Sequence, residues 1–114
     1  MATTSDFNRS FIAAAAVEAG RLVKQMGTGA TKAGSGDAIL GVAVNEAGAN
    51  EPVTVRLWSR WGTMLCVADG AIAVGDALYA GADGKVTKTV AGSQIGVALT
   101  QTTADGQQIE VLPS

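Results

Sequence analysis

The sequence contains no histidine. That excludes Ser–His and Cys–His nucleophile pairs and any imidazole metal site. Cysteine is nearly absent too: Cys66 stands alone, so no disulfide can form within the chain. Its neighbours Met64, Leu65 and Val67 mark it as a buried core thiol, with no imidazole to activate it. Aromatic residues make up only 4% of the chain against 47% hydrophobic, so any core has to be built from Ala, Val, Ile and Leu. No block of like charge exists. The net charge is −2, and the eight basic residues are scattered from Arg9 to Lys88. Nucleic-acid binding relies on clustered Lys and Arg to neutralise phosphates, and nucleic acid is therefore not an expected partner. The apolar run at residues 11–17 is too short to span a bilayer. The opening Met-Ala-Thr-Thr-Ser-Asp lacks a basic region followed by an apolar one, so the expectation is a soluble protein made in the cytosol, without a membrane partner.

Carboxylates are present, but singly. Asp37, Asp69, Asp76, Asp83 and Asp105 each neighbour a glycine, where Asp caps turns through nearby backbone. Asp83-Gly-Lys85 lacks the alternating ligand spacing of an EF-hand, and Gly27-Thr-Gly29 and Gly34-Ser-Gly36 lack the Gly-Lys-Ser/Thr ending of a phosphate loop. The expectation is no catalytic residue, no cofactor, no metal and no small-molecule substrate.

What the chain does have is 15 glycines between short apolar segments, the pattern of many strands joined by tight turns. A chain of 114 residues is one domain and buries enough surface to fold without staples. The organising stretch is Val74-Gly-Asp-Ala-Leu-Tyr79 with Ala82-Asp-Gly-Lys-Val86. Leu78 and Tyr79 favour a strand, and Asp-Gly supplies a type I′ hairpin turn, in which both central residues take positive φ. Residues 53–58 alternate Val, Val and Leu with Thr, Arg and Trp, which is strand patterning, and Pro52 suits a strand start. Gln108-Ile-Glu-Val-Leu112 alternates in the same way. Residues 11–26 read as two short strands joined at Glu18-Ala-Gly20, in competition with a helix favoured by the alanine run. Residues 27–36 read as an exposed glycine-rich loop.

Gly41-Val-Ala43 and Gly96-Val-Ala98 are each followed by a polar loop and an alternating strand, Val53-Thr-Val55 or Ile109-Glu-Val111. Gly36-Asp37 similarly echoes Gly75-Asp76. The fold expected is all-β: a small sandwich or barrel of short strands built from two similar strand–loop–strand units. Residues 1–10 are polar and read as an extended arm ahead of a single domain at residues 11–114. Ten extended residues reach roughly 33 Å, enough to cross to a neighbouring subunit. Phe7 is a candidate anchor for that arm, with Phe11 beside it. Trp58-Ser-Arg60-Trp61, together with Arg56, is the other candidate contact cluster, since Trp and Arg dominate binding hot spots.

The ordered set Ala19-Gly-Arg-Leu-Val-Lys24, Gly36-Asp37, Leu40-Gly-Val-Ala43, Glu51-Pro-Val-Thr-Val55, Val74-Gly-Asp-Ala-Leu-Tyr79, Asp83-Gly-Lys-Val86, Ile95-Gly-Val-Ala98 and Ile109-Glu-Val111 resembles the capsid decoration, or cement, proteins of tailed bacteriophages. The resemblance implies an all-β, non-enzymatic protein on the outer face of an icosahedral head. It would bridge and stabilise major capsid protein subunits there, commonly as a homotrimer. Two other readings follow from the residues themselves. One is a small β-barrel module that binds a glycan or peptide across Trp58 and Trp61. The other is a lipoyl-type carrier hairpin at Lys85, which sits after the turn rather than at its tip.

Overall fold

The structure, a computed structural model, describes residues 8–59 and 62–114. Ten strands follow in order: β1 (Asn8–Ile12), β2 (Leu22–Met26), β3 (Gly29–Lys32), β4 (Gly41–Ala43), β5 (Pro52–Leu57), β6 (Met64–Val67), β7 (Ala77–Ala80), β8 (Val86–Thr87), β9 (Gly96–Ala98) and β10 (Gln108–Pro113). Among the described residues there is no α-helix, only a 3-10 turn at Ala82–Gly84. The fold is all-β, as the glycine spacing and alternation imply.

The strands form two five-stranded antiparallel sheets, ordered β1-β5-β4-β2-β3 and β6-β10-β9-β7-β8. The second order is the first repeated, strand for strand. In each sheet one parallel bridge joins the two edge strands, Ala13 to Ala30 in the first and Ala68 to Val86 in the second. Each sheet therefore curls until its two edge strands touch at one point, which covers part of its exposed edge.

The turns repeat as faithfully as the strands. Gly20 N–H donates to Ala43 O as Gly75 N–H does to Ala98 O, both at 2.8 Å. Val17 and Ala47 exchange a pair of hydrogen bonds, as do Ile72 and Thr102. The repeat is thus the whole five-stranded unit, larger than the strand–loop–strand echo in the sequence. One element of that echo is misaligned: Gly75-Asp76 corresponds to Gly20-Arg21, not to Gly36-Asp37. The left-handed glycines Gly20 (φ 85°) and Gly75 (φ 90°) hold equivalent turns, whereas Gly36 packs against Gly92 between the units.

The expected Asp-Gly turn forms as a type I′ turn. Asp83 lies at φ 61° and Gly84 at φ 70°, and Lys85 N–H donates to Ala82 O. The alternation of β5 also holds, with Val53 and Val55 buried while Thr54 and Arg56 face the other way. Residues 11–26 form no helix. β1 runs into a bend through the alanine run, and the chain turns at Gly20 into β2. The expected loop at residues 27–36 is instead partly strand: Gly29–Lys32 forms β3, paired along β2 from Met26↔Gly29 to Val23↔Lys32. Glycine and threonine carry little strand signal alone, and here the pairing to β2 decides. β1 also takes in Asn8, Arg9 and Ser10, which pair with Arg56, Val55 and Thr54. The last three residues of the expected arm therefore belong to the first sheet.

The interior of the first unit holds Phe11, Val17, Val23, Val53 and Val55. That of the second holds Met64, Cys66, Leu78, Val86, Ile109 and Val111, and it is continuous with Leu22, Ala33 and Val42 from the outside of the first unit. Burying Leu22 and Val42 contributes about 1.5–3 kcal/mol each, and this apolar contact joins the two units. Cys66 is fully buried, and burial alone pushes its thiol up to about 12.

The β7–β8 turn is the wedge of this contact. Gly84 N–H donates to Ala33 O at 2.8 Å, and a Cβ on Gly84 would stand 2.9 Å from Leu22 O and 3.0 Å from the Arg21 Cβ. A Cβ on Gly27, also left-handed at φ 60°, would meet nothing within 4 Å. Gly27→Ala should therefore cost about 1 kcal/mol, the conformational term alone. Gly84→Ala should cost clearly more, because the turn must also lift from the first unit. Urea unfolding of the two variants checks this; equal losses would show that the turn does not hold the units together.

Candidate interaction surface

Between the units runs a groove of about 600 Å³. Ala19, Gly20, Val42, Val44 and Arg56 line it from the first unit, and Leu65, Val67, Gln108 and Glu110 from the second. Two strand faces make it. β4 and β5 set Val42 opposite Arg56, and β6 and β10 set Leu65 opposite Glu110. Val44 and Leu65 are exposed apolar side chains on its walls. Along its second-unit wall, Thr63 Oγ1 donates to Glu110 Oε2 at 2.8 Å.

Arg56 is half-buried in this groove, and its Nε is buried without a hydrogen-bond partner. An unpaired buried donor costs roughly 1–3 kcal/mol. The equivalent position in the second unit is Leu112, opposite Val97 as Arg56 is opposite Val42. The fold thus accepts an aliphatic side chain at this position of the unit, yet carries a cation at it in the first. Trp58 is half-buried, packs on the second core and donates from its indole Nε1 to Ile95 O at 3.0 Å. Its indole ties the two units together instead of offering a free stacking platform. Phe11, expected at a contact, is a core residue only 8% exposed, with the Arg9 guanidinium 5.2 Å from its ring centre. In so aromatic-poor a chain, one of its few rings is taken up by packing. Phe7, Arg60 and Trp61 lie outside the described residues.

A cluster of ion pairs also crosses the interface. Asp83, in the β7–β8 turn, pairs with Lys32 at 2.8 Å and Arg21 at 3.0 Å; Arg21 also donates to the Asp83 carbonyl, and Lys32 reaches Glu18 at 3.0 Å. Asp83 is held below its ordinary carboxylate value by Lys32 and then Arg21, and Glu18 is lowered mainly by Lys32. Lys32 is raised by Asp83 and Glu18 in turn. The sequence signal for this clasp was the Asp-Gly turn, but its partners Arg21 and Lys32 carried none. Of the other glycine-flanking aspartates, Asp37 accepts from Gly34 N–H and pairs with Lys24, Asp76 accepts from Ala73 N–H, and Asp105 pairs with Lys85. Turn capping and surface pairing account for these three.

A second depression of about 300 Å³ is lined by Ala16, Val17, Glu18, Glu46, Ala47, Gly48 and Glu51. Glu51 accepts there from Gly48 N–H at 2.7 Å. Among the described residues, no group of three or more His, Cys, Asp or Glu could hold a metal ion.

Residues 4–113 match the family described as phage cement protein. Nine chains among solved structures match. One is the crystal structure of the head fiber gp8.5 N base of bacteriophage phi29, with a TM-score of 0.78 over 94% of this chain and 92% of that one. The two are 23% identical in sequence, a likeness of fold. No curated protein matches.

Two outcomes are expected from these residues. Arg56→Leu should leave the fold unharmed or stabilise it by up to about 1 kcal/mol, because it replaces a half-buried side chain whose buried Nε lacks a partner with an apolar chain; a denaturant midpoint that falls would show hidden pairing. The lowered carboxylates stabilise the fold fully above their ordinary values, 3.8 for Asp83 and 4.5 for Glu18, and that share is lost as pH falls through the lowered ones. Asp83→Asn keeps the turn chemistry, so it should flatten the acid limb of a stability–pH profile and leave the neutral region's slope unchanged. An acid limb as steep as the wild type's would remove Asp83 from the clasp.

Proposed function

The chain belongs to the phage cement protein family, and from that premise we propose that it coats the outer face of an icosahedral head, where it bridges and stabilises major capsid protein subunits. Membership makes it a phage capsid-associated structural protein and a component of the virion. The observation that carries the finer reading is the extent of the match, which takes in both units and part of the segment ahead of β1.

The mechanism is avidity. Each copy makes a modest interface, but copies joined as a homotrimer and touching several capsid subunits dissociate far more slowly than one contact allows. Preferential binding to the assembled shell stabilises that shell by mass action. The role is mechanical and needs no catalytic group, cofactor or small-molecule substrate. The shell, not the genome, is the partner, in keeping with a net charge of −2 and scattered basic residues. Synthesis would be in the host cytoplasm, with attachment once the shell has formed. Two parts of the molecule are assigned to the shell. Residues 1–7, ahead of β1, act as an arm over a neighbouring capsid subunit, with Phe7 as its anchor. The groove around Arg56, flanked on the chain by Arg60 and Trp61, takes a capsid carbonyl or carboxylate.

Purified particles provide the test. The protein should sediment with them at close to one copy per major capsid subunit, whereas a few copies per particle would end the lattice reading. Deleting residues 1–7 keeps β1 whole, so it should weaken attachment without lowering the unfolding midpoint. Arg56→Leu should behave likewise. Wild-type retention on particles by both variants would remove the arm and the groove from the contact.

A further inference from the structure

The two units meet asymmetrically. The middle of the outer face of the first unit, with Leu22 at 0% and Val42 at 5% exposure, is covered by the second unit, while Ala19 and Val44 at its rim stay exposed. The same face of the second unit is uncovered. Position by position, Ala19, Val42, Val44 and Arg56 of the first unit correspond to Val74, Val97, Leu99 and Leu112 of the second. All four counterparts are aliphatic, and Val74, Leu99 and Leu112 are exposed by 61%, 38% and 43%. A lone exposed leucine is ordinary, but large apolar side chains gathered on one face mark an interaction site.

The element that covers the first face has its own counterpart. Val67, at the end of β6, reaches over Gly20, where a Cβ would stand 3.3 Å from the Val67 Cγ2. The equivalent of Val67 is Ile12, at the end of β1 and 53% exposed. Met26, 52% exposed, lies beside it through Gly29, which pairs with Met26 and approaches the Ile12 carbonyl. The equivalent of Gly20 is Gly75, and nothing lies within 4 Å of where its Cβ would be. The chain therefore presents one half of its internal contact at each end: an open apolar face on the second unit, and the matching apolar knob on the first.

We infer that the face formed by Val74, Val97, Leu99 and Leu112 seats the Ile12 and Met26 knob of a second copy, so that copies join head to tail. The occupant is argued from the molecule itself, because a unit of this same fold already covers the equivalent face. Such a contact is heterologous: repeated, it closes into a ring or runs on as a filament. It rests on the proposed self-association on the shell and names the surface responsible.

The test uses the full chain in solution and on particles. Leu112→Arg puts at this position the side chain that the first unit already carries there, so the fold should tolerate it, and circular dichroism with urea unfolding verifies that. Light scattering should show the wild type as an oligomer and both Leu112→Arg and Ile12→Glu as monomers. Mixing Leu112→Cys with Ile12→Cys should give an intermolecular disulfide that neither variant forms alone; Cys66, being buried, stays silent. Oligomers that persist in both charged variants would leave self-association standing and overturn this surface. Self-linking by Leu112→Cys alone would overturn the head-to-tail arrangement. If Leu112→Arg keeps the oligomer but no longer binds particles, the face belongs to a capsid subunit and the inference fails. A wild-type monomer in solution, with no mixed disulfide on particles either, would overturn both the inference and the trimer reading.

Discussion

The docking of one tight turn on the backbone of the neighbouring unit is the constraint on which the rest of the structure depends. The β7–β8 turn comes close enough to donate from Gly84 to Ala33 only because Gly84 has no side chain and can hold φ 70°. That approach lets Leu22 and Val42 share the second core, and it sets Asp83 between Lys32 and Arg21. Exposed ion pairs contribute little on their own, so they serve here to orient a contact whose strength is apolar. Two small units whose cores are almost without aromatic side chains gain from leaning on each other in this way.

Legibility in the sequence followed how local each determinant was. The Asp83-Gly84 turn, the alternation of β5 and β10 and the Gly-Val-Ala strands depend on neighbouring residues, and all are found as the patterns imply. The duplication was visible through the same Gly-Val-Ala strands, but Gly36-Asp37 misled because the dipeptide suits several kinds of turn; its role in the fold, packing on Gly92, depends on the other unit. β3 was hidden for a related reason, since Gly29 and Thr31 are strand residues only while β2 lies alongside. Phe11 and Trp58 carried the composition of a contact surface, yet a chain this poor in aromatics puts both to use inside. Of the groove only Arg56 was marked in the sequence, because the other walls come from strands far apart in the chain.

Under the proposed role the protein adds contacts to a shell, and duplication suits that task. One unit repeated within a chain supplies two versions of each surface. Selection can keep one version for internal packing and leave the other for neighbours. The pairing of Arg56 with Leu112 at one position of the fold illustrates this, with a cation in the groove of one unit and an aliphatic surface on the other. The curled sheets suit it as well, because a protein concentrated on a lattice with free strand edges would be prone to edge-to-edge aggregation.

The burial of Cys66 bears on what happens when the surroundings turn oxidising. With its thiol pushed up to about 12, the residue carries almost no thiolate at neutral pH, and it lies inside the second unit where oxidants and other thiols do not reach. A change from reducing to oxidising surroundings thus leaves the chain's sole sulfhydryl shielded. It neither pairs into disulfides nor is oxidised while the unit stays shut. The same shielding makes that sulfur a witness, since it can react only in those molecules, and at those moments, in which the second unit has opened.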